Sequence, residues 1–495
     1  MKRLDQLTST RFIALLLVLF YHAGGGVYFS LINVFPISAL LRAAPTGVSY
    51  LYVLSGFVMS LVYFRPKEKF NIAGYWTARF LRIYPLYIIS FLLICYYYID
   101  FVARVKPQKI LANIFVLQAW IPTYAQSFNY ASWSMTVEFF FYAVFPFFTI
   151  WAYRQSTKRL VWFSLVLWAL SQLIYYILWI GYYPEYRYFI VYFPLFHLNS
   201  FIMGAVGGIW FLRVGQEQVF KPVTNLLILS GSVLLAAAYT IASNVFTQLP
   251  HNLQPMAGLL APILTLIIVS LALDKTYLST FLNFPVLVAL GETSYALYIL
   301  HVPILWIYER ALENSALVNP QLIFDYTFLP LMIAVGLLSH YYIDRPLRSW
   351  LKQILKHISM PLLVLDLVII AVSVYVSFNF RFDGRKELLS YRSTALLMFW
   401  SAFFLRTIFS IVFNALNPAS FYGSFQQLAR PVLISVTTGS CAVTGIIFAG
   451  YFLGKFENFP RSVFMMDWIL VFTLSLAVRY LFRFFKFHNL HPNPV

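Results

Sequence analysis

Arg11 and His22 share the first apolar segment of the chain, Arg11-Phe-Ile-Ala-Leu-Leu-Leu-Val-Leu-Phe-Tyr-His22. Eleven residues at 100° each come to about three turns, which puts both side chains on nearly one helix face, roughly 16 Å apart along the axis. Ionisable groups inside a bilayer cost about 2.5–3.5 kcal/mol each on insertion scales, so they are confined to protein-lined or water-filled interiors that serve a pathway or a site. A guanidinium there suits phosphate. An imidazole can act as a general base or as a nucleophile that accepts an acyl group, and the spacing leaves both open. The bland alternative is a histidine that merely bridges two helices. Glu138, in Ser132-Trp-Ser-Met-Thr-Val-Glu138, sits about one turn into an apolar run by its outer end and needs a partner or a proton. His301 follows Tyr295 and Tyr298 at helical spacing, and Arg79 and Arg82, three apart, share one face.

The elements that must position these groups are membrane helices. With 61% hydrophobic and 11% charged residues over 495 positions, and a mean hydropathy of +0.75, the chain is a polytopic membrane protein and not a set of soluble domains. About fourteen apolar runs of spanning length are present, near 12–30, 45–64, 83–100, 133–152, 160–180, 192–212, 223–242, 256–273, 284–308, 326–343, 361–380, 393–413, 431–453 and 463–484. Runs this long predict an all-α fold and exclude a barrel. The first lacks a small-residue cleavage site and reads as a retained helix.

The net charge of +18 is topological. With the N-terminus cytoplasmic, the connections after even-numbered spans, up to the tenth, hold fifteen Lys and Arg residues from Arg65 to Lys356, against six on the opposite side. That bias supports the orientation with both termini cytoplasmic, and it removes any need for a nucleic-acid partner. Cys95 and Cys441 lie in apolar runs as small hydrophobes, and no metal-binding signature is present. A basic amphipathic stretch from Arg345 to Met360 reads as a surface helix, and the segment Asn71 to Tyr84 is similar in character. We therefore divide the chain into a ten-helix domain, 1–356, and a four-helix module, 357–495.

Seven ordered motifs carry a family resemblance: Arg11 through His22, Leu51-Tyr-Val-Leu-Ser-Gly56-Phe, Arg79-Phe-Leu-Arg82-Ile-Tyr-Pro85, Gln118-Ala-Trp-Ile-Pro122, Trp133-Ser-Met-Thr-Val-Glu138, Gly291-Glu-Thr-Ser-Tyr-Ala-Leu-Tyr-Ile-Leu-His301 and Tyr341-Tyr-Ile-Asp344-Arg-Pro346. Together they resemble the acyltransferase-3 family, membrane-embedded enzymes that acylate polysaccharides and other surface glycans. The resemblance implies ten helices, an acyl-CoA donor reached from the cytoplasm, essential roles for Arg11, His22, Arg79 and Arg82, and weaker candidacy for Glu138 and His301. Two positions depart from the family: Asp344 stands where glutamate is usual, and His197 where a basic residue near the sixth span is common. A shorter carboxylate at 344 suits an ion pair with Arg345 or Arg348.

The last four spans, through Asp366, Phe380-Arg-Phe-Asp-Gly384, Asp467 and Arg479-Tyr-Leu-Phe-Arg483, resemble the membrane anchor of nucleotide-sugar epimerases and dehydratases. No G-x-G-x-x-G follows a strand, so the anchor is expected without its dinucleotide-binding domain. Asp366 and Asp467 are expected to be interhelical.

These readings converge on an O-acyltransferase that moves an acyl group, most simply acetyl, from acyl-CoA to a glycan or lipid-linked saccharide. Arg11, Arg79 and Arg82 would hold the donor, and His22, Arg11, Glu138 and His301 would serve the chemistry. Membrane lipid and polysaccharide-synthesis proteins are the remaining expected partners. A glycan-lipid flippase and a non-catalytic scaffold of a synthesis complex are the alternatives.

Overall fold

The computed structural model describes residues 4–23, 44–66, 70–97, 105–215, 222–245, 257–315, 318–355, 358–382, 391–417, 424–454 and 461–490. Among them every regular element is a helix: α1 (Asp5–His22), α2 (Ala44–Tyr63), α3 (Ile72–Tyr97), α4 (Pro107–Ile114), α5 (Trp133–Ala152), α6 (Thr157–Tyr182), α7 (Arg187–Tyr192), α8 (Leu198–Trp210), α9 (Pro222–Val245), α10 (Ala261–Leu273), α11 (Tyr277–Leu282), α12 (Pro285–Glu313), α13 (Pro320–Leu338), α14 (Arg345–Leu355), α15 (Met360–Arg381), α16 (Arg392–Val412), α17 (Phe425–Phe452) and α18 (Arg461–Leu490). Twelve described helical stretches are long and apolar enough to cross a membrane, so the chain is an all-α, multi-pass membrane protein.

Two of the fourteen expected runs take another form. The run at 256–273 yields the thirteen-residue α10, about 20 Å long and short of a hydrocarbon core of about 30 Å. The run at 12–30 is described only to Ala23, because 24–43 lie outside the described residues; α1 starts earlier than expected, with a polar first half from Asp5 to Arg11. A third difference concerns Asn71 to Tyr84, expected as a separate surface stretch. It is the first half of one 26-residue helix, α3, which runs through the buried Pro85. A membrane helix tolerates the lost backbone hydrogen bond where neighbours pack around it. Arg79 and Arg82 therefore project from within a spanning helix.

Contacts divide the chain into two compact units, Met1–Arg348 and Ser349–Val495. In the first, glycines set the closest helix approaches. A Cβ on Gly56 of α2 would lie 2.0 Å from the Phe201 carbonyl oxygen of α8, and one on Gly204 would lie 1.9 Å from that of Val53. A Cβ on Gly291 of α12 would lie 2.1 Å from the carbonyl oxygen of Thr8 in α1. Without a hydrophobic drive between helices in lipid, such small-residue contacts permit the backbone proximity on which packing depends.

The second unit is held by two buried ion pairs. Arg479 donates to both carboxylate oxygens of Asp366, at 2.8 and 2.7 Å, and through Nε to the Ala415 carbonyl at 3.1 Å. Arg406 donates to Asp467 and, at 2.9 Å, to Ser440, while Ser373 donates to the other Asp467 oxygen at 2.6 Å. Both aspartates are thus interhelical, as their positions in apolar runs suggested. Removing one partner strands a buried charge, at a cost of about 3–5 kcal/mol, whereas replacing both with apolar groups is far milder. Asp467→Ala is expected to lower the thermal unfolding temperature in detergent sharply, and Arg406→Met with Asp467→Leu to recover most of the loss; equal unfolding temperatures for the two variants would contradict this account.

Candidate active site

Where the polar first turns of α1 meet α2, α3 and α12, the first unit encloses a cavity of about 570 Å³. Five arginines line it: Arg11, Arg65, Arg82, Arg345 and Arg348. Its wall includes a π-helical turn, Ser339–Asp344, which joins α13 to α14. Such wide turns are rare and are frequent at functional sites. Here the turn brings His340 Nδ1 to 3.2 Å from Asp344 Oδ2 and starts a chain of pairs. Arg348 bonds Asp344 at 2.6 Å, and Arg345 bonds Glu292 at 2.5 Å and His340 Nε2 at 3.0 Å. Asp344 therefore serves as an ion-pair partner. Arg345 and Arg348 are neutralised locally, whereas neither Arg11 nor Arg82 makes a hydrogen bond or ion pair among the described residues. Guanidinium groups that no carboxylate engages directly keep donors free for an anionic ligand in a partly desolvated cavity.

A narrower cavity of about 110 Å³ shares Arg11, Arg82, Glu292 and Tyr295 with the first and runs on between α3, α5 and α12. Arg79 and Glu138 line it. The Arg79 guanidinium donates to the Tyr63 hydroxyl at 3.0 Å and lies 5.3 and 5.8 Å from the ring centres of Tyr63 and Tyr142. Tyr142 in turn donates to Glu138. Glu138, expected by the outer end of its helix and in need of a partner, accepts from Tyr142 and lines this cavity with the arginines of α1 and α3. Of the expected arginine pair, Arg79 is held by tyrosines and Arg82 is open to both cavities. Ser134 and Tyr298 also line the narrow cavity and are joined by a 2.7 Å hydrogen bond, and the Tyr298 hydroxyl contacts the Ala131 carbonyl at 3.0 Å.

One turn further along α12, His301 meets the end of α1. Its Nδ1 lies 2.5 Å from the Tyr298 carbonyl oxygen, which can only accept, so Nδ1 carries the proton. In the neutral ring Nε2 then holds a lone pair, and it lies 2.9 Å from Nδ1 of His22. His22 must donate to it. This chain of donors fixes the His22 tautomer and leaves its Nε2 with an available lone pair, as a general base requires. The rings lie 16° from parallel, and Tyr130 packs edge-on against His22 at 5.0 Å.

The two histidines are 279 residues apart, and their pairing had no signal in the sequence beyond the helical repeat of Tyr295, Tyr298 and His301. Arg65 was counted only toward topology, and Arg345 and Arg348 toward topology and a pair with Asp344, although all three line the larger cavity. His197 is buried, bonds the Val191 carbonyl at 3.0 Å and packs on Tyr52 and Trp133, a structural setting away from the histidine pair. No group of three His, Cys, Asp or Glu residues able to hold a metal occurs among the described residues.

Residues 4–341 match the acyltransferase domain of the acyltransferase-3 family. The chain belongs to that family. It is 28% identical over 324 residues to the acyltransferase MdmB of Streptomyces mycarofaciens, a match covering 60% of this chain and 78% of that one. It is 23% identical over 329 residues to the peptidoglycan O-acetyltransferase OatA of Listeria monocytogenes, covering 61% of this chain and about half, 51%, of that one. No solved structure matches the chain. The protein is a membrane O-acyltransferase, and its family match ends before the second unit begins at Ser349.

The geometry of the candidate site depends on how closely α1 lies against α12. Gly291→Ala is expected to push the Thr8 backbone away, cost about 1–3 kcal/mol as overpacking does, and reduce acyl transfer at least tenfold. Unchanged turnover of the purified variant would show that the contact does not set the site.

Proposed function

We propose that this acyltransferase moves an acyl group, acetyl for the simplest case, from acyl-CoA to a hydroxyl of a surface or exported glycan at the bacterial inner membrane. The observation that carries the reading is the tautomer-fixed His22–His301 pair at the end of the helix that carries Arg11 three turns earlier. The separation of Arg11 and His22, about 16 Å, is comparable to the reach of a pantetheine arm. Arg11 and Arg82 would hold the donor's phosphates, and the narrow cavity would admit its arm. In the transfer step His22 Nε2 takes the proton of the acceptor hydroxyl, the oxygen forms its bond to the thioester carbonyl, and the C–S bond breaks. The thiolate then recovers the proton from His22. Base catalysis of this kind is worth about 10²–10⁴-fold. Glu138, bonded by Tyr142 within the same cavity, would offset the charge of Arg11 and Arg79 and help to orient them.

The Listeria relative is named for peptidoglycan O-acetylation, which supports a glycan acceptor here. Further elements of the proposal are a cytoplasmic location for both termini and a second domain, 357–495, that resembles an epimerase anchor and docks a polysaccharide-synthesis partner. The positive-inside charge bias supports the first.

His22→Ala is expected to abolish transfer of labelled acetyl from acetyl-CoA while the protein remains inserted and abundant. His301→Gln, whose amide oxygen can still accept from His22 Nδ1, should keep more activity than His301→Ala. Wild-type transfer by His22→Ala would overturn the assignment. Arg82→Gln should raise the KM for acetyl-CoA more than it lowers kcat, because phosphate is held alike in the ground and transition states; an unchanged donor KM would remove Arg82 from that role.

A further inference from the structure

Along α12 the sites follow one another in order: Glu292 in the arginine cavity, Tyr295 and Tyr298 in the narrow one, His301 in the histidine pair, and then Trp306, about 21 Å beyond Glu292. Trp306 lines a third cavity, of about 530 Å³, that the donor and the base do not use. Its ring lies 5.8 Å from that of Tyr130, which packs on His22 at 5.0 Å, so one ring, that of Tyr130, links the wall of this cavity to His22 on the side away from the arginines.

The wall of this cavity is an irregular stretch between α4 and α5 that includes Thr123, Gln126, Ser127 and Phe128. Non-helical backbone at membrane depth is tolerated where it is buried in protein or lines a wet cavity. Phe128 has φ +60°, a left-handed conformation that costs a residue with a Cβ on the order of 1–3 kcal/mol and persists only when its surroundings enforce it. They do so here. The Asn129 side chain donates to Ser90 at 2.9 Å and to the Ile299 carbonyl at 2.8 Å, and Asn113 donates to Ser127 at 2.8 Å.

The chemistry of the lining contrasts with that of the donor side. Lys109 is the one charged residue lining it among the described residues, in place of five arginines, so nothing here matches a polyphosphate. Instead there are the hydroxyls of Thr123, Ser127 and Tyr188, the amide of Gln126 and the indole of Trp306. Gln126 donates once, to Tyr192 at 2.7 Å, which leaves its carbonyl oxygen and a second N–H for a ligand. A pyranose ring matches such a lining: its C–H face suits the electron-rich face of an aromatic ring, and its hydroxyls suit mixed donors and acceptors.

We infer that this cavity binds a sugar ring of the acceptor against Trp306 and so delivers a hydroxyl to His22 Nε2. The inference rests on the acyl-transfer reading and assigns it an acceptor site. The test uses the full chain in lipid nanodiscs, with saturation-transfer NMR to tetra-N-acetylchitotetraose and maltotetraose and, on the same samples, calorimetric titration with acetyl-CoA. At least one saccharide is expected to receive saturation from the wild type, with the effect falling about tenfold in Trp306→Ala and in the surface-exposed Gln126→Leu, while acetyl-CoA binding persists in both. Arg11→Gln with Arg82→Gln should show the reverse pattern. The absence of transfer to either saccharide, or its survival in both cavity variants, would overturn the acceptor site. Should Trp306→Ala fail to fold, Gln126→Leu decides alone. Saccharide binding without acetyl-CoA binding in the wild type would sink the donor reading and leave this cavity standing.

Discussion

The contact between α1 and α12 at Gly291 is the constraint from which the site follows. With hydrogen in place of a side chain, the α12 backbone comes against the Thr8 carbonyl, and no larger residue permits that distance. Both helices carry their polar groups on the facing sides: Arg11 and His22 on one, Glu292, Tyr295, Tyr298 and His301 on the other. Spacing the helices by the width of a methyl group would part His22 from His301, whose 2.9 Å contact has little slack. A residue with no side chain thus determines whether His22 has its partner.

The rest of the first unit supplies charge and shape. Three arginines of the large cavity come from outside α1 and α3, and two of these are neutralised by carboxylates that the π turn and α12 present. The pairing distinguishes arginines that build the wall from Arg11 and Arg82, which make no hydrogen bond or ion pair among the described residues. In the second unit the ion pairs are closed, each carboxylate being met by an arginine of another helix, and there the same chemistry serves packing.

Much of this was legible before the structure. Apolar runs of spanning length identify an all-α membrane protein, and the ordered motifs from Arg11 to Pro346 identify the family, because both signals are local and repeated. Other features were not legible, for physical reasons. Hydropathy cannot see that α10 stops after thirteen residues, or that α3 continues through Pro85, since both depend on neighbouring helices. Charge bias counts Arg65, Arg345 and Arg348 toward a membrane face but cannot tell a solvated loop from a cavity wall. The His22–His301 contact joins positions 279 residues apart, and one sequence carries no signal for such a pairing.

The order of donors in the histidine pair has an energetic corollary for the cell. The chain ends at the Tyr298 carbonyl oxygen, which cannot take up a proton, so a proton arriving at His22 can be shared with His301 and travel no further. Under the proposed mechanism it leaves by the nitrogen through which it entered, passing from acceptor hydroxyl to departing thiol. The cycle then exchanges the hydroxyl proton for the acyl group with no net charge moved, so that acylation draws its driving force from the thioester alone and is indifferent to the membrane potential.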